Sequence, residues 1–143
     1  MIPLTNECRY EYVHPETNVT YLLRYVTDAE RTEFQNEAKR VQACSAALSR
    51  LLKTISKLSK DDQEDLPQEI QDEIQKANDQ LYEHQKWTVD FFVTGWKHQT
   101  LELPELQGKP SSYFKINEIP ELATAIQRLY PILTGIKTDE AKN

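Results

Sequence analysis

The chain has 143 residues, of which 38% are hydrophobic and 28% charged, and its formal net charge is −6. This length suits a single domain with its own core, and the acidic balance argues against a general nucleic-acid-binding protein, which usually presents a basic face to phosphates. No apolar run approaches the ~20 residues that span a membrane and the first residues lack signal-peptide architecture, so we expect a cytoplasmic protein with no membrane contact.

The first predicted element is a β-hairpin over residues 8–26. Two segments rich in Tyr, Val and Leu, residues 7–13 and 19–26, flank a turn that contains Pro15 and Asn18. A two-stranded ribbon is marginal alone, so we expect it to pack on helices or to pair with a third strand or another chain. Cys8 and Cys44 are interpreted as small buried residues rather than as a disulfide.

A long helix is predicted over residues 28–60. Thr27 followed by Glu30 has capping-box spacing, in which the threonine caps the first turn and the glutamate reaches back to its N–H. Apolar residues then recur in a heptad pattern, which is typical of a helix that packs along one seam. The seam residues are Phe34, Val41, Cys44, Leu48, Leu51, Ile55 and Leu58.

A second helix is predicted over residues 67–94, after an acidic turn that ends at Pro67. Its seam positions repeat the four-three spacing, and Gly95 suits the left-handed residue that often follows a helix. Because the connection is short, we expect the two helices to form an antiparallel hairpin. The seam positions are Ile70, Ile74, Ala77, Leu81, His84, Thr88 and Phe91.

The two helices carry opposite charge. Residues 31–60 hold seven Lys/Arg and two Asp/Glu, whereas residues 61–83 hold nine Asp/Glu and one Lys. A basic helix beside an acidic one gains modest attraction, although each exposed pair contributes only about 0.2–1 kcal/mol. The alternative interpretation is two solvated faces.

The residues after the second helix are predicted to form smaller elements. Residues 96–116 are interpreted as a loop or short strands, with a further strand over 112–115. Asn117 and Pro120 open a final helix over 118–134, which Pro131 kinks or ends and Gly135 closes. Residues 137–143 form a polar tail. The predicted fold class is therefore α+β and mostly α: a long antiparallel helical hairpin, a small N-terminal β-hairpin and a short C-terminal helix.

Signatures of catalysis are missing from the sequence. Three glycines provide no phosphate-binding loop, and the three histidines lack metal-ligand spacing with one another or with the cysteines. His84 beside Glu83 suits either a pH switch or a histidine satisfied by its neighbours. We therefore predict no catalytic, metal or cofactor site, and a protein that is not an enzyme.

Two groups of residues are candidate partner-binding sites. The aromatic side chains near the end of the second helix suit either a core junction or an anchor for a protein partner. The acidic turn offers exposed carboxylates to a basic surface. The candidates are Phe92, Trp96, Tyr113, Phe114, Asp61, Asp62, Glu64 and Asp65.

Three short pieces of the sequence are the strand over residues 21–25 that runs into the first helix cap, the helix that ends in Gly95-Trp96, and the segment 114–120 that opens the final helix. In this order, spread over residues 20–135, they resemble the tail assembly chaperones of long-tailed bacteriophages. The resemblance implies a cytoplasmic, non-catalytic helper that holds the tape-measure protein, recruits tail-tube subunits and leaves the finished particle.

The expected function is therefore that of a phage tail assembly chaperone with protein partners. The alternative is a small acidic inhibitor or adaptor that docks on a basic nucleic-acid-binding enzyme. Heptad seams close within one chain or between chains, so a homo-oligomer is left open by the sequence.

Overall fold

The computed structural model describes residues 9–135, which form the mostly helical α+β fold that the sequence predicts. Cys8 and the tail over 137–143 lie outside the described residues. The elements in chain order are β1 (Tyr10–Val13), β2 (Thr20–Leu23), α1 (Arg31–Ser56), α2 (Lys60–Glu64), α3 (Gln68–Phe92), β3 (Val93–Lys97), α4 (Glu118–Arg128) and α5 (Tyr130–Leu133), with 3₁₀ turns at Asp28–Glu30 and Pro110–Tyr113.

The chain divides into two compact units. The hairpin unit comprises residues 33–84, and the sheet unit comprises the described residues before and after it, 9–32 and 85–135. That both units are parts of a single domain remains a prediction from the sequence.

The sheet unit contains a three-stranded antiparallel sheet in the order β1-β2-β3. The predicted β-hairpin is present, with Tyr12 opposite Tyr21, and the third strand that such a ribbon needs is β3. The prediction that α3 continues to Thr94 is wrong, and Gly95 does not adopt a left-handed conformation. The run from Val93 to Trp96 is rich in β-branched and aromatic residues, and the free edge of β2 supplies its hydrogen-bond partners.

A β-bulge at Thr94 sets which side chains face the core. Leu22 pairs with Gly95 but Leu23 pairs with Val93, so Thr94 is the extra residue on β3. Its hydroxyl donates to the carbonyl of Leu22 at 3.0 Å. Without the bulge, Val93 and Trp96 would alternate to opposite faces of the sheet, whereas here both lie on the face that carries Tyr21 and Leu23.

The core of the sheet unit lies between the sheet, the end of α3 and the last two helices. Backbone bonds join these parts: Arg24 N donates to Phe92 O and Val26 N to Leu133 O, at 2.9 and 2.8 Å. The buried hydroxyl of Thr88 lies 3.2 Å from that of Tyr130. The buried apolar residues are Tyr21, Leu23, Val26, Val89, Phe92, Val93, Ile119, Leu122, Ala123, Ile126 and Leu133.

The C-terminal segment follows the prediction in part. The helical region is broken at Leu129, just before Pro131, and Gly135 is left-handed with φ of 79°. The side chain of Asn117 makes no capping bond; instead the carboxylate of Glu118 accepts the N–H of Lys115 at 2.9 Å. The strand predicted over 112–115 is also absent, because Pro110 starts a 3₁₀ turn there.

The hairpin unit consists mainly of α1 and α3 in antiparallel contact. His84 lies beside Glu37, and Ala77 lies beside Cys44, whose thiol is 3.5 Å from the Ala77 carbonyl oxygen. Moving seven residues forward along α1 therefore moves seven residues back along α3. Within residues 33–83 the seam side chains all remain partly exposed, and none is fully buried.

The connection differs from the predicted turn. Helix α1 ends at Ser56 rather than near residue 60, and α2 occupies Lys60–Glu64. The hydroxyl of Ser59 accepts the N–H of Asp62 at 3.2 Å and so caps this short helix. A serine that bonds the backbone in this way competes with continuation of α1.

Candidate functional site

An aromatic cluster covers the core-side face of the sheet. Tyr21 on β2 lies between Tyr12 on β1 and Trp96 on β3, with ring centroids 6.4 and 6.5 Å away. Phe114 and Tyr113 approach from the loop that follows β3, with ring centroids 5.9 and 5.0 Å from that of Trp96. Three of the sequence-predicted candidates, Trp96, Tyr113 and Phe114, are therefore brought together.

These rings border a cleft of about 150 Å³. The indole N–H of Trp96 donates to the carbonyl of Pro104 at 2.8 Å. The hydroxyl of Tyr113 accepts the N–H of Gln107 at 2.9 Å and donates to the carbonyl of Glu105 at 3.1 Å. Because these polar atoms bond within the chain, the rings offer a partner mainly apolar surface. The cleft is lined by Val19, Tyr21, Trp96, Leu103, Pro104, Tyr113 and Phe114.

A carboxylate on α3 fixes the loop that closes the cleft. Asp90 accepts the backbone N–H of Ser111 at 2.7 Å through one oxygen and its hydroxyl at 2.9 Å through the other. Both residues are half-buried, where such charge-assisted bonds are strong. This attachment was not predicted, since nothing in the sequence distinguishes Asp90 from the many other acidic residues.

Exposed apolar side chains occur in the same loop region. Leu101, Tyr113 and Ile116 are 60%, 38% and 79% exposed. Large apolar groups left in water in one region are typical of surfaces that bind another molecule.

Phe92 does not belong to this cleft. It is 0% exposed and packs between Phe91 and Tyr130, at centroid distances of 4.9 and 5.6 Å. The prediction placed both Phe92 and Trp96 near the end of a second helix over residues 67–94, but α3 ends at Phe92 and Trp96 lies on β3. Phe92 is therefore a core residue, and its side chain is not available to a partner.

The acidic turn is exposed to solvent. Asp61, Asp62, Glu64 and Asp65 all have exposed side chains, and none makes an ion pair within the described part of the chain. The first three lie in α2 and the fourth directly follows it, so the carboxylates project from one helical turn. They lie in the hairpin unit, and the aromatic cleft lies in the sheet unit.

One titratable cluster joins the two long helices. Glu37 Oε1 lies 2.6 Å from Arg40 Nη2 and 3.1 Å from His84 Nδ1, and His84 is buried. The hydrogen bond from Arg40, with further help from His84, lowers the pKa of Glu37 despite its partial burial. Glu37 occupies a seam position three residues after Phe34, so the heptad register itself could have predicted a polar pair opposite His84.

Within residues 9–135, no three His, Cys, Asp or Glu side chains converge in a way that could hold a metal ion. None of the helices in that range combines the length and apolar character that crossing a bilayer demands. Comparison with protein-family models, curated proteins and solved structures found no significant match to this chain.

Proposed function

We propose that this protein is a non-catalytic assembly protein of the tail-chaperone type, acting in the cytoplasm and holding another protein through the aromatic cleft beside Trp96. The observation that carries the proposal is the chemistry of that cleft. Its rings are positioned by internal hydrogen bonds, its lining is mostly apolar, and exposed apolar residues occur in the adjoining loop.

Such a cleft suits a side chain from an elongated partner. About 150 Å³ accommodates one aliphatic or proline side chain, and the surrounding rings supply large contact area with little entropy to lose. A tape-measure protein, a long helical chain with repeated apolar side chains, is the partner that the sequence resemblance implies. Tail-tube subunits would then be recruited to the complex.

Co-purification tests this proposal. The chain is co-expressed with the tape-measure protein of a long-tailed phage, and the retained partner is quantified for the native chain and for Trp96→Ala. A buried aromatic anchor contributes about 2 kcal/mol or more, so we expect retention to fall at least tenfold. Leu52→Ala, an exposed apolar change in the hairpin unit, is the matched control and should retain the partner. Equal retention by Trp96→Ala, or no retention by the native chain, would contradict the proposal.

The second candidate function is an acidic inhibitor of a basic nucleic-acid-binding enzyme. The four unpaired carboxylates of the acidic turn favour it. Binding of such an enzyme should weaken steeply with salt and be lost when Asp61, Asp62, Glu64 and Asp65 are changed to their amides. Salt-independent binding would argue against this function.

A further inference from the structure

Residues 101–107, called the strap, form the part of the loop after β3 that borders the aromatic cleft. They have no regular secondary structure, and none of their backbone groups bonds to another backbone group within residues 9–135. Leu103 and Leu106 are half-buried, the other side chains of the strap are exposed, and Leu103 and Pro104 line the cleft. The strap therefore occupies aromatic surface that a partner would otherwise contact, while little of its own surface is buried.

Two aromatic side chains hold the middle of the strap. The indole N–H of Trp96 donates to the carbonyl of Pro104 at 2.8 Å. The hydroxyl of Tyr113 lies 3.1 and 3.2 Å from the carbonyl oxygens of Glu105 and Gln107, and it accepts the N–H of Gln107 at 2.9 Å. A segment that presents its carbonyls to a tryptophan and a tyrosine resembles a peptide ligand bound in an aromatic-lined groove. Because the strap is held by few side-chain bonds, it opens at lower cost than the sheet beside it.

Both ends of the strap are fixed. At its start, the ring nitrogen Nδ1 of His98 accepts the N–H of Leu101, the first residue of the strap, at 3.0 Å. Beyond its end, the carboxylate of Asp90 holds Ser111 through two hydrogen bonds. Gly108 directly follows the strap with φ of 80° and open space around it, and a glycine there changes its backbone angles at less steric cost than any other residue. The strap is therefore anchored at both ends and has a flexible joint at Gly108.

We propose that the strap is a lid on the aromatic cleft. In the closed state that the structure shows, the strap takes up the indole N–H of Trp96 and the hydroxyl of Tyr113. When a partner binds, the strap moves away as a unit between His98 and Gly108, and both donors become available to the partner. The inference rests on the proposed function, because it describes how the same cleft is opened.

Two substitutions weaken the closed state without removing an aromatic ring. A lid lowers the measured affinity for a partner, because only the open fraction of the protein binds. Tyr113→Phe removes the hydroxyl that holds the strap, and Leu103→Ser removes one of its half-buried side chains. Two matched controls leave these contacts intact. Tyr10→Phe removes a hydroxyl from β1, outside the cleft, and Glu105→Ser introduces the same serine at an exposed position of the strap.

Solvent exchange of the Trp96 indole N–H, followed by NMR, measures opening of the strap without a partner. In both variants Trp96 keeps its own acceptor, the carbonyl of Pro104, so faster exchange shows that the strap moves as a unit. We expect exchange to accelerate about fivefold in Tyr113→Phe and in Leu103→Ser, with no change in either control or in the protected amides of β2. Equal indole exchange in the native chain and both variants, or an acceleration that extends equally to β2, would overturn the proposal.

Co-expression with the tape-measure protein of a long-tailed phage tests the role of the lid in binding. Tyr113→Phe and Leu103→Ser should retain more of this partner than the native chain, by about the factor measured for opening, whereas both controls should retain the native amount. Unchanged or lower retention by both variants would show that the strap does not compete with the partner, and would overturn the proposal. A native chain that retains no tape-measure protein contradicts the proposed function alone, because the indole exchange still decides whether the strap opens.

Discussion

Glu37 on α1 and His84 on α3 meet across the seam of the hairpin, with 3.1 Å between Oε1 and Nδ1. This contact joins residues 47 apart in the sequence and, with the Arg40 bond, holds the half-buried carboxylate of Glu37 between a buried imidazole and an exposed guanidinium. A heptad ordinarily places an apolar side chain at this seam position. Here the contact between the two helices depends instead on the ionised carboxylate of Glu37.

Changing Glu37 to Gln should make the stability of the hairpin less dependent on pH. Hydrogen bonding by Arg40 and then by His84 lowers the pKa of Glu37 in the folded state, so its stabilising effect is present above the ordinary carboxyl pKa of about 4 and is lost as pH falls through the folded value. Glu37→Gln should cost about 1 kcal/mol at pH 7 and less at pH 3, measured by thermal unfolding. The exposed Glu33→Gln is the control. If the stability difference between the native chain and Glu37→Gln is as large at pH 3 as at pH 7, the ionised carboxylate of Glu37 does not provide the stabilisation.

The capping box at the start of α1 should contribute measurably to stability. The carboxylate of Glu30 accepts the N–H of Thr27 at 3.2 Å and its hydroxyl at 2.9 Å, and it also binds Arg24. Burial acts to raise the pKa of Glu30, but the bonds from Thr27 and Arg24 outweigh it and lower the pKa. Thr27→Ala should cost about 1 kcal/mol in urea unfolding, whereas Thr32→Ala, exposed one turn later, should cost little. If the two variants lose the same free energy of unfolding, the Thr27 cap does not contribute measurably to stability.

Removing the carboxylate of Asp90 should loosen the loop that closes the aromatic cleft. The N–H and hydroxyl of Ser111 both lose their acceptor in Asp90→Ala. We expect amide hydrogen exchange over residues 98–113 to accelerate about tenfold, while exchange in the centre of α3 is unchanged. Glu102→Ala removes an exposed carboxylate from the same loop and serves as the control. Unaltered exchange in Asp90→Ala would mean that other contacts hold the loop.

Two glycine substitutions distinguish the strand at Gly95 from the helix end that the sequence suggests. A Cβ on Gly95 would meet Leu22 Cδ1 at an ordinary 3.5 Å, and the backbone there is not left-handed, so Gly95→Ala should change stability by less than about 0.5 kcal/mol. Gly108 has φ of 80° with open space around it, so Gly108→Ala should cost about 1 kcal/mol through backbone strain alone. Thermal melts of both variants measure these stability changes. A larger loss for Gly95→Ala than for Gly108→Ala would favour a left-handed Gly95.

A disulfide between the helices should show whether the seam closes within one chain. Cys44 lies beside Ala77, so Ala77→Cys in a Cys8→Ser background should oxidise to a faster-running monomer on a non-reducing gel. Asn78→Cys, exposed on a different face of α3, should not form this bond efficiently. Covalent dimers from Ala77→Cys would indicate that the helices exchange between copies.

The long periodic segments were predictable because their signals are local and repeated. The heptads of α1 and α3, the capping box at Thr27 and the break near Pro131 all follow from spacing that the structure preserves. The β-hairpin was predictable in the same way from its aromatic strands and its turn.

The end of α3 was not predictable, because a distant segment decides it. Val93 and Thr94 tolerate either a helix or a strand, and the open edge of β2, some 70 residues earlier, selects the strand. The same junction decides which residues belong to the candidate site. Trp96 and Phe92 are close in the sequence, yet Trp96 on β3 lines the cleft and Phe92 at the end of α3 is buried in the core. Asp90 and Pro104 were missed because their partners are set by loop conformation and not by periodicity.

Because Thr94 is an extra residue on β3, the junction between α3 and β3 depends on how many residues it contains more than on which residues they are. Deleting Thr94 would leave every aromatic residue in place in the sequence but would turn either Val93 or Trp96 towards the solvent side of the sheet. Any protein that shares this architecture must therefore keep the count of residues between its last helical core position and its cleft tryptophan, even where the identities of those residues differ.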